Sequence, residues 1–139
     1  MNRRVFLLSV ISAVALVACG GGASNLSDIP LFPGTSPAQP TDAALASEIF
    51  DGTKRYVSEQ AQSSATLYRI PDNTTYLTVK QHYTDMLIGS GWREDPEVVI
   101  EGDTLSYFGW QKDNERFVIG VVENVAGDGA FLVVAQFTK

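Results

Sequence analysis

The sequence predicts an α+β domain in which an antiparallel β-meander of four to five strands carries two helices packed against it. Three observations point there. Apolar residues recur at three- and four-residue steps over residues 41–61 and again over 75–88, as they do on one face of a helix. Residues 65–70 alternate as a strand does and are closed by Pro71-Asp72-Asn73. From residue 97 onward, strand-like segments are separated by short turn-forming stretches, and short turns join neighbouring strands antiparallel. A chain of 139 residues, 45% hydrophobic and 19% charged, has room for one folded domain with tails, and its composition is not that of a disordered chain.

At the N-terminus, Met1-Asn2-Arg3-Arg4 is a short cationic segment. The 13 residues from Val5 to Val17 are apolar apart from Ser9 and Ser12. A membrane-spanning helix needs about 20 apolar residues, and the core of a removable export signal about 7–15. Residues 1–18 therefore read as a signal peptide that is removed. The segment ends Leu16-Val17-Ala18-Cys19, which closely resembles the lipobox of bacterial lipoproteins. The resemblance implies that the Cys19 sulfur takes a diacylglycerol in thioether linkage and that lipoprotein signal peptidase then cuts before it. A thiolate is the strongest side-chain nucleophile near neutral pH, which explains a cysteine in that place. Two acyl chains, at about 0.8 kcal/mol per buried methylene, hold a protein on a bilayer durably. The expected location is the cell membrane or the outer membrane, on the extracytoplasmic side. Arg3-Arg4-Val5-Phe6-Leu7 resembles the twin-arginine export motif, while the strongly apolar core equally suits the general secretory route. Gly20, where an Asp would favour inner-membrane retention, leaves outer-membrane delivery open.

Residues 19–41 read as the lipidated cysteine and a tether. Gly20-Gly21-Gly22-Ala23-Ser24-Asn25 is linker-like, and Pro30, Pro33, Pro37 and Pro40 leave no room for a regular element. Ile29-Pro30-Leu31-Phe32-Pro33-Gly34 is too apolar for a pure spacer and is expected to lie along the domain, with Pro33-Gly34 as a turn.

The domain itself is assigned to residues 42–139. Thr41 or Asp42 can cap the first helix, whose apolar face is Ala46, Ile49, Phe50, Thr53, Val57 and Ala61. Gly52 costs this helix about 1 kcal/mol relative to Ala. Residues 60–64 read as a polar connection. The second helix places Tyr76, Val79, Tyr83, Met86 and Leu87 on one stripe, and Thr78, Gln81, His82 and Asp85 on the wet side. Gly89-Ser90-Gly91 ends it, and Trp92 fills the corner between helix and sheet. Strands are expected at 97–100, 104–112, 115–122 and 130–137.

These strands are apolar on both faces. Phe108 and Trp110 point opposite to Leu105 and Tyr107, and Phe117, Ile119 and Val121 point opposite to Val118 and Val122. Something must cover each side. Helices on opposite faces do so. If both helices share a face, the other is an exposed apolar patch, and Phe108 and Trp110 are then a candidate binding surface.

Few chemistries fit. Cys19 and His82 are the only residues of their kinds, which excludes Cys/His zinc clusters and an internal disulfide. No nucleophile-elbow, phosphate-loop or dinucleotide-binding glycine motif occurs, and no cofactor is implied. Glu94, Asp95, Glu97, Glu101 and Asp103 lack EF-hand spacing and read as solvated loop charge, then as a weak calcium site, with a small hydrolase built on them the least favoured reading. The formal charge of −6 becomes −8 once Arg3 and Arg4 are removed, which opposes binding to nucleic acid. Residues 29–137 also resemble small bacterial lipoprotein domains in which a Pro-Gly (Pro33-Gly34) precedes a helix (that of Tyr83) ending in Gly-Trp (Gly91-Trp92) and then a β-meander. That resemblance implies no activity. The expectation is a non-catalytic binding or accessory module anchored to a membrane through Cys19, with an envelope protein as candidate partner. The alternative is a structural or assembly factor of an envelope complex.

Overall fold

Two tight reversals order the C-terminal third. Asp113, at a φ of 52°, turns β5 (Leu105–Lys112) into β6 (Glu115–Val122). Gly127 and Gly129, at φ of 84° and 102°, take the chain from β6 into β7 (Ala130–Thr138) along a path that side chains resist. The computed structural model describes residues 25–139. The three strands pair antiparallel in the register Phe108↔Ile119 and Ile119↔Val134. β2 (Ala61–Ile70) returns antiparallel along the far side of β7, with Leu67 opposite Val133. Three two-residue strands complete a seven-stranded antiparallel sheet: β1 (Ser36–Pro37) on β2, and β3 (Arg93–Glu94) and β4 (Ile100–Glu101) on β5.

The fold is thus α+β, with a meander at its centre, and the sheet is wider than the four to five strands expected. Each additional strand is two residues long and is held by its neighbour's register rather than by its own alternation. β2 is longer than expected as well, since Ala61 and Ser64 pair with β7 although residues 61–64 are exposed and lack large apolar side chains. Backbone pairing does not depend on their side chains. A register shift lies between Ala61 and Ser64, where Gln62 takes a φ of 49°. Residues 97–100 are not a strand. Pro96–Val98 is a turn of 3₁₀-helix capped by Asp95, and only Ile100 enters the sheet.

The helices cover opposite faces. α1 (Ala44–Ser58) buries Ala46 and Ile49 with Leu67, Val122, Phe131 and Val133, and its later turn buries Val57 with Val118, Ala135 and Phe137. Its cap is not Thr41 or Asp42. Asp42 is bound to the backbone of Gln39 in a preceding 3₁₀ turn, so α1 starts after Ala43 with no side-chain cap. α2 (Tyr76–Ile88) is capped by Thr75, whose hydroxyl accepts the Thr78 N–H at 3.2 Å, and Glu123 accepts the Tyr76 N–H at 2.7 Å. Its stripe of Tyr76, Val79, Tyr83 and Leu87 lies on Phe108, Trp110, Phe117, Ile119 and Leu132. Trp92 fills the corner after α2 and is 2% exposed.

The N-terminal stretch is part of this body. Residues read as tether include a 3₁₀ turn at Leu26–Asp28, β1, and a second 3₁₀ turn at Pro40–Asp42. Ile29 and Phe32 are buried in the α2-side core, so the folded unit takes in residues from 26 rather than from 42. Ile29 to Gly34 does lie along the domain, and Gly34 turns it at a φ of 79°.

Candidate functional site

Gly52 lies in α1 beside the side chain of Tyr107 from β5. A Cβ at that position would stand 3.4 Å from the Tyr107 hydroxyl. The Tyr107 side chain reaches α1 here, where its hydroxyl donates to the Ile49 carbonyl at 3.5 Å and Thr53 donates to the same oxygen at 2.8 Å. Burial pushes the Tyr107 phenol above its ordinary pKa, against the opposing hydrogen bond with Thr53, so at neutral pH it is an uncharged hydroxyl.

The facing wall is the 3₁₀ turn of Pro96–Val98. Gly109 favours this: a Cβ there would come within 3.1 Å of the Val98 Cβ, so any other residue would press the turn a few tenths of an ångström off β5. Asp95 holds the turn in place. It is 3% exposed, its N–H donates to the Gly109 carbonyl at 2.8 Å, and its carboxylate accepts the Glu97 N–H at 3.1 Å and stands 3.6 Å from the Arg116 guanidinium. Glu97 pairs with Lys139 at 2.9 Å, which draws the end of β7 to the same place and holds the Glu97 carboxyl below its usual range.

Between the walls lies a cleft of about 240 Å³ lined by Gly52, Thr53, Tyr56, Val98, Tyr107 and Val118, with Glu97 and Ile100 at its mouth. Tyr56 is 44% exposed and rests edge-on against Phe137 at 5.7 Å between centroids. Ile100 is 60% exposed. Most polar groups of the cleft are engaged within the chain, Thr53 and Tyr107 with the Ile49 carbonyl and Glu97 with Lys139, while the Tyr56 hydroxyl belongs to an exposed side chain. The cleft therefore presents shape and apolar surface rather than charge, and it holds a group smaller than the 300–1,000 Å³ of an ordinary small-molecule site.

The residues singled out from the sequence fare differently. Leu16, Val17, Ala18 and Cys19 lie outside the described residues. Phe108 and Trp110 are not a binding surface, being 1% and 0% exposed. Because α2 packs on their side of the sheet, the Phe108 ring is 4.0 Å from the Lys80 ammonium and Trp110 packs on Tyr83 and Phe117. The acidic run is dispersed rather than gathered: Asp95 turns inward to Arg116, Glu97 meets Lys139, and Glu101 accepts from the Tyr76 hydroxyl at 3.3 Å. No three His, Cys, Asp or Glu residues converge on a metal site among the described residues. His82 is not a solvated side chain either. It is half-buried, with the Phe32 ring edge-on at 5.2 Å and Tyr83 at 5.1 Å.

Sequence reasoning missed the cleft because its lining comes from α1, β5, β6 and a 3₁₀ turn read as strand. Gly52 was its one signal, a glycine in a helix that is otherwise regular. No helix of the described residues is long and apolar enough to cross a membrane. Comparison with protein-family models, with curated proteins and with solved structures finds no match to this chain.

Proposed function

We propose that this protein is an extracytoplasmic lipoprotein, held to a membrane by acyl chains on Cys19, whose α+β domain is a non-catalytic binding or accessory module. The observation that carries the reading is Leu16-Val17-Ala18-Cys19 placed directly after a cationic start and an apolar run too short to span a bilayer. The domain's chemistry is consistent with binding. Its single histidine sits on the α2 side, away from the cleft, and the inner cleft hydroxyls of Thr53 and Tyr107 are hydrogen-bonded to the Ile49 carbonyl rather than to a base. The exposed apolar side chains of Tyr56 and Ile100 at the cleft are where an envelope partner would seat.

The test is metabolic labelling of expressing cells with radioactive palmitate. The parent chain takes up label and migrates as the cleaved form. Cys19→Ser takes up none and accumulates as precursor. Equal labelling of both chains would overturn the anchor.

A further inference from the structure

Residues 26–32 run alongside α2 as a strap, between that helix and Gln136 of β7. Three contacts hold it: the Tyr83 hydroxyl donates to the Pro30 carbonyl at 3.2 Å, the Gln136 amide donates to the Leu26 carbonyl at 3.1 Å, and Phe32 packs its ring against His82 at 5.2 Å. Ile29 and Phe32, each 9% exposed, pack into the α2-side core and Leu26 packs against it, while Ser27, Asp28, Pro30 and Leu31 are exposed. The Nε2 atom of His82 is buried without a hydrogen-bond partner. A neutral imidazole tolerates that position, since one of its nitrogens carries no proton. An imidazolium has an N–H at both nitrogens, and a buried unpaired donor bearing charge is costly.

We propose that residues 26–32 form a proton-released strap, docked on α2 while His82 is neutral and freed when His82 takes up a proton. The groups facing His82 fix the sign. On α2 itself, Asp85 lies one turn on and is engaged by the Gln81 amide at 2.6 Å, and Tyr83 contributes an uncharged ring. The strap contributes Phe32, and its one charged side chain, Asp28, is exposed and bonded to Asn25 at 3.1 Å. The strands beneath α2 bring Trp110 and Phe117 against Tyr83, both uncharged. Burial lowers the histidine pKa from 6.5 and outweighs the raising effect of Asp85.

The docked state therefore binds fewer protons than the undocked one. Docking is at full strength above pH 6.5 and weakens by up to tenfold per pH unit below it, until the lowered pKa of the docked state is reached. Loss of the strap adds its length to the chain between Cys19 and the domain.

The sequence has one histidine, so its ring protons are a single reporter. The experiment follows the His82 ring protons and the amide resonances of residues 26–32 by NMR, in the full chain in detergent micelles, from pH 7.5 to 4.5. The strap amides should move to random-coil positions with the midpoint of the His82 titration, below 6.5. In His82→Phe they should stay at their docked positions throughout. Asp85→Asn removes the carboxylate that favours the charged ring and should move both midpoints lower together. It alters only an exposed side chain, so it decides the matter if His82→Phe fails to fold. Strap amides that hold still while His82 titrates, that move in His82→Phe, or that fail to follow the ring in Asp85→Asn would overturn the proposal.

Discussion

Gly120→Ala tests how α1 seats on the sheet. Gly120 is central in β6, opposite Tyr107 on one side and Val133 on the other, and a Cβ built there would lie 2.7 Å from Ile49 Cδ1, 2.9 Å from Tyr107 Cε1 and 3.1 Å from Ile49 Cγ1. Carbon atoms in contact prefer about 3.5–4.0 Å, so Ile49 and Tyr107 must each give by the better part of an ångström. Ile49 is fully buried and cannot swing to solvent. Overpacking of this kind costs about 1–3 kcal/mol, against roughly 0.5–1 kcal/mol returned because Ala loses less chain entropy than Gly. A net loss of about 1–2 kcal/mol is expected, a fall in Tm of about 4–8 °C for a domain of this size. The mechanism is tested by Ile49→Val, which removes the nearest atom, Cδ1, and alone costs about 0.5–1.5 kcal/mol. In urea denaturation the double variant should be more stable than the sum of the single losses by at least about 0.5 kcal/mol. Strict additivity, or a Gly120→Ala chain as stable as its parent, would refute the packing argument.

Asp95→Ala should cost about 2–4 kcal/mol in the same assay, because it uncaps the 3₁₀ turn and leaves the largely buried Arg116 guanidinium without its carboxylate. It should also raise amide exchange in residues 96–101, the outer wall of the cleft. Burial, with the charge of Glu101 adding to it, pushes the Tyr76 phenol from 10.0 up to about 12. The folded phenol keeps its proton where the unfolded one has lost it, so this contribution to stability is complete below pH 10 and is lost as pH rises through about 12. An alkaline absorbance titration should contain a component near pH 12 that Tyr76→Phe removes, and its persistence would contradict the assignment.

Much of the architecture could be read from the residues. α2 was legible because its stripe from Tyr76 to Leu87, its cap Thr75 and its terminating glycines agree, and β5 to β7 because their turns carry Asp113-Asn114 and Gly127-Asp128-Gly129. The two-faced apolarity of those strands correctly required cover on both sides, which α1 and α2 supply. What was hidden is what depends on distant partners. β1, β3 and β4 are too short to alternate and exist only as pairings. Asp42 has the chemistry of a helix cap but spends it on Gln39, three residues earlier. His82 looks solvated on a helical wheel, and only the return of Phe32 from fifty residues upstream covers it. The cleft was hidden for the same reason, since Gly52, Gly109 and Tyr107 acquire meaning only when α1, β5 and the Pro96–Val98 turn meet.

The start of β2 bears on the behaviour of many copies together. Along its outer side β1 pairs with Tyr68 and Arg69 and the Ala38 N–H donates to the Leu67 carbonyl, which leaves the edge from Ala61 to Thr66 open among the described residues. An open, flat edge is a template on which like chains stack into aggregates. Here the register shift after Ala61 and the left-handed backbone of Gln62 twist the first residues of that edge out of line, and Gln62, Ser63, Ser64 and Thr66 face outward without apolar side chains. If the chain is anchored as proposed, copies crowded in two dimensions would meet edge to edge far more often than in free solution, and this small irregularity makes the edge a poorer template for such encounters.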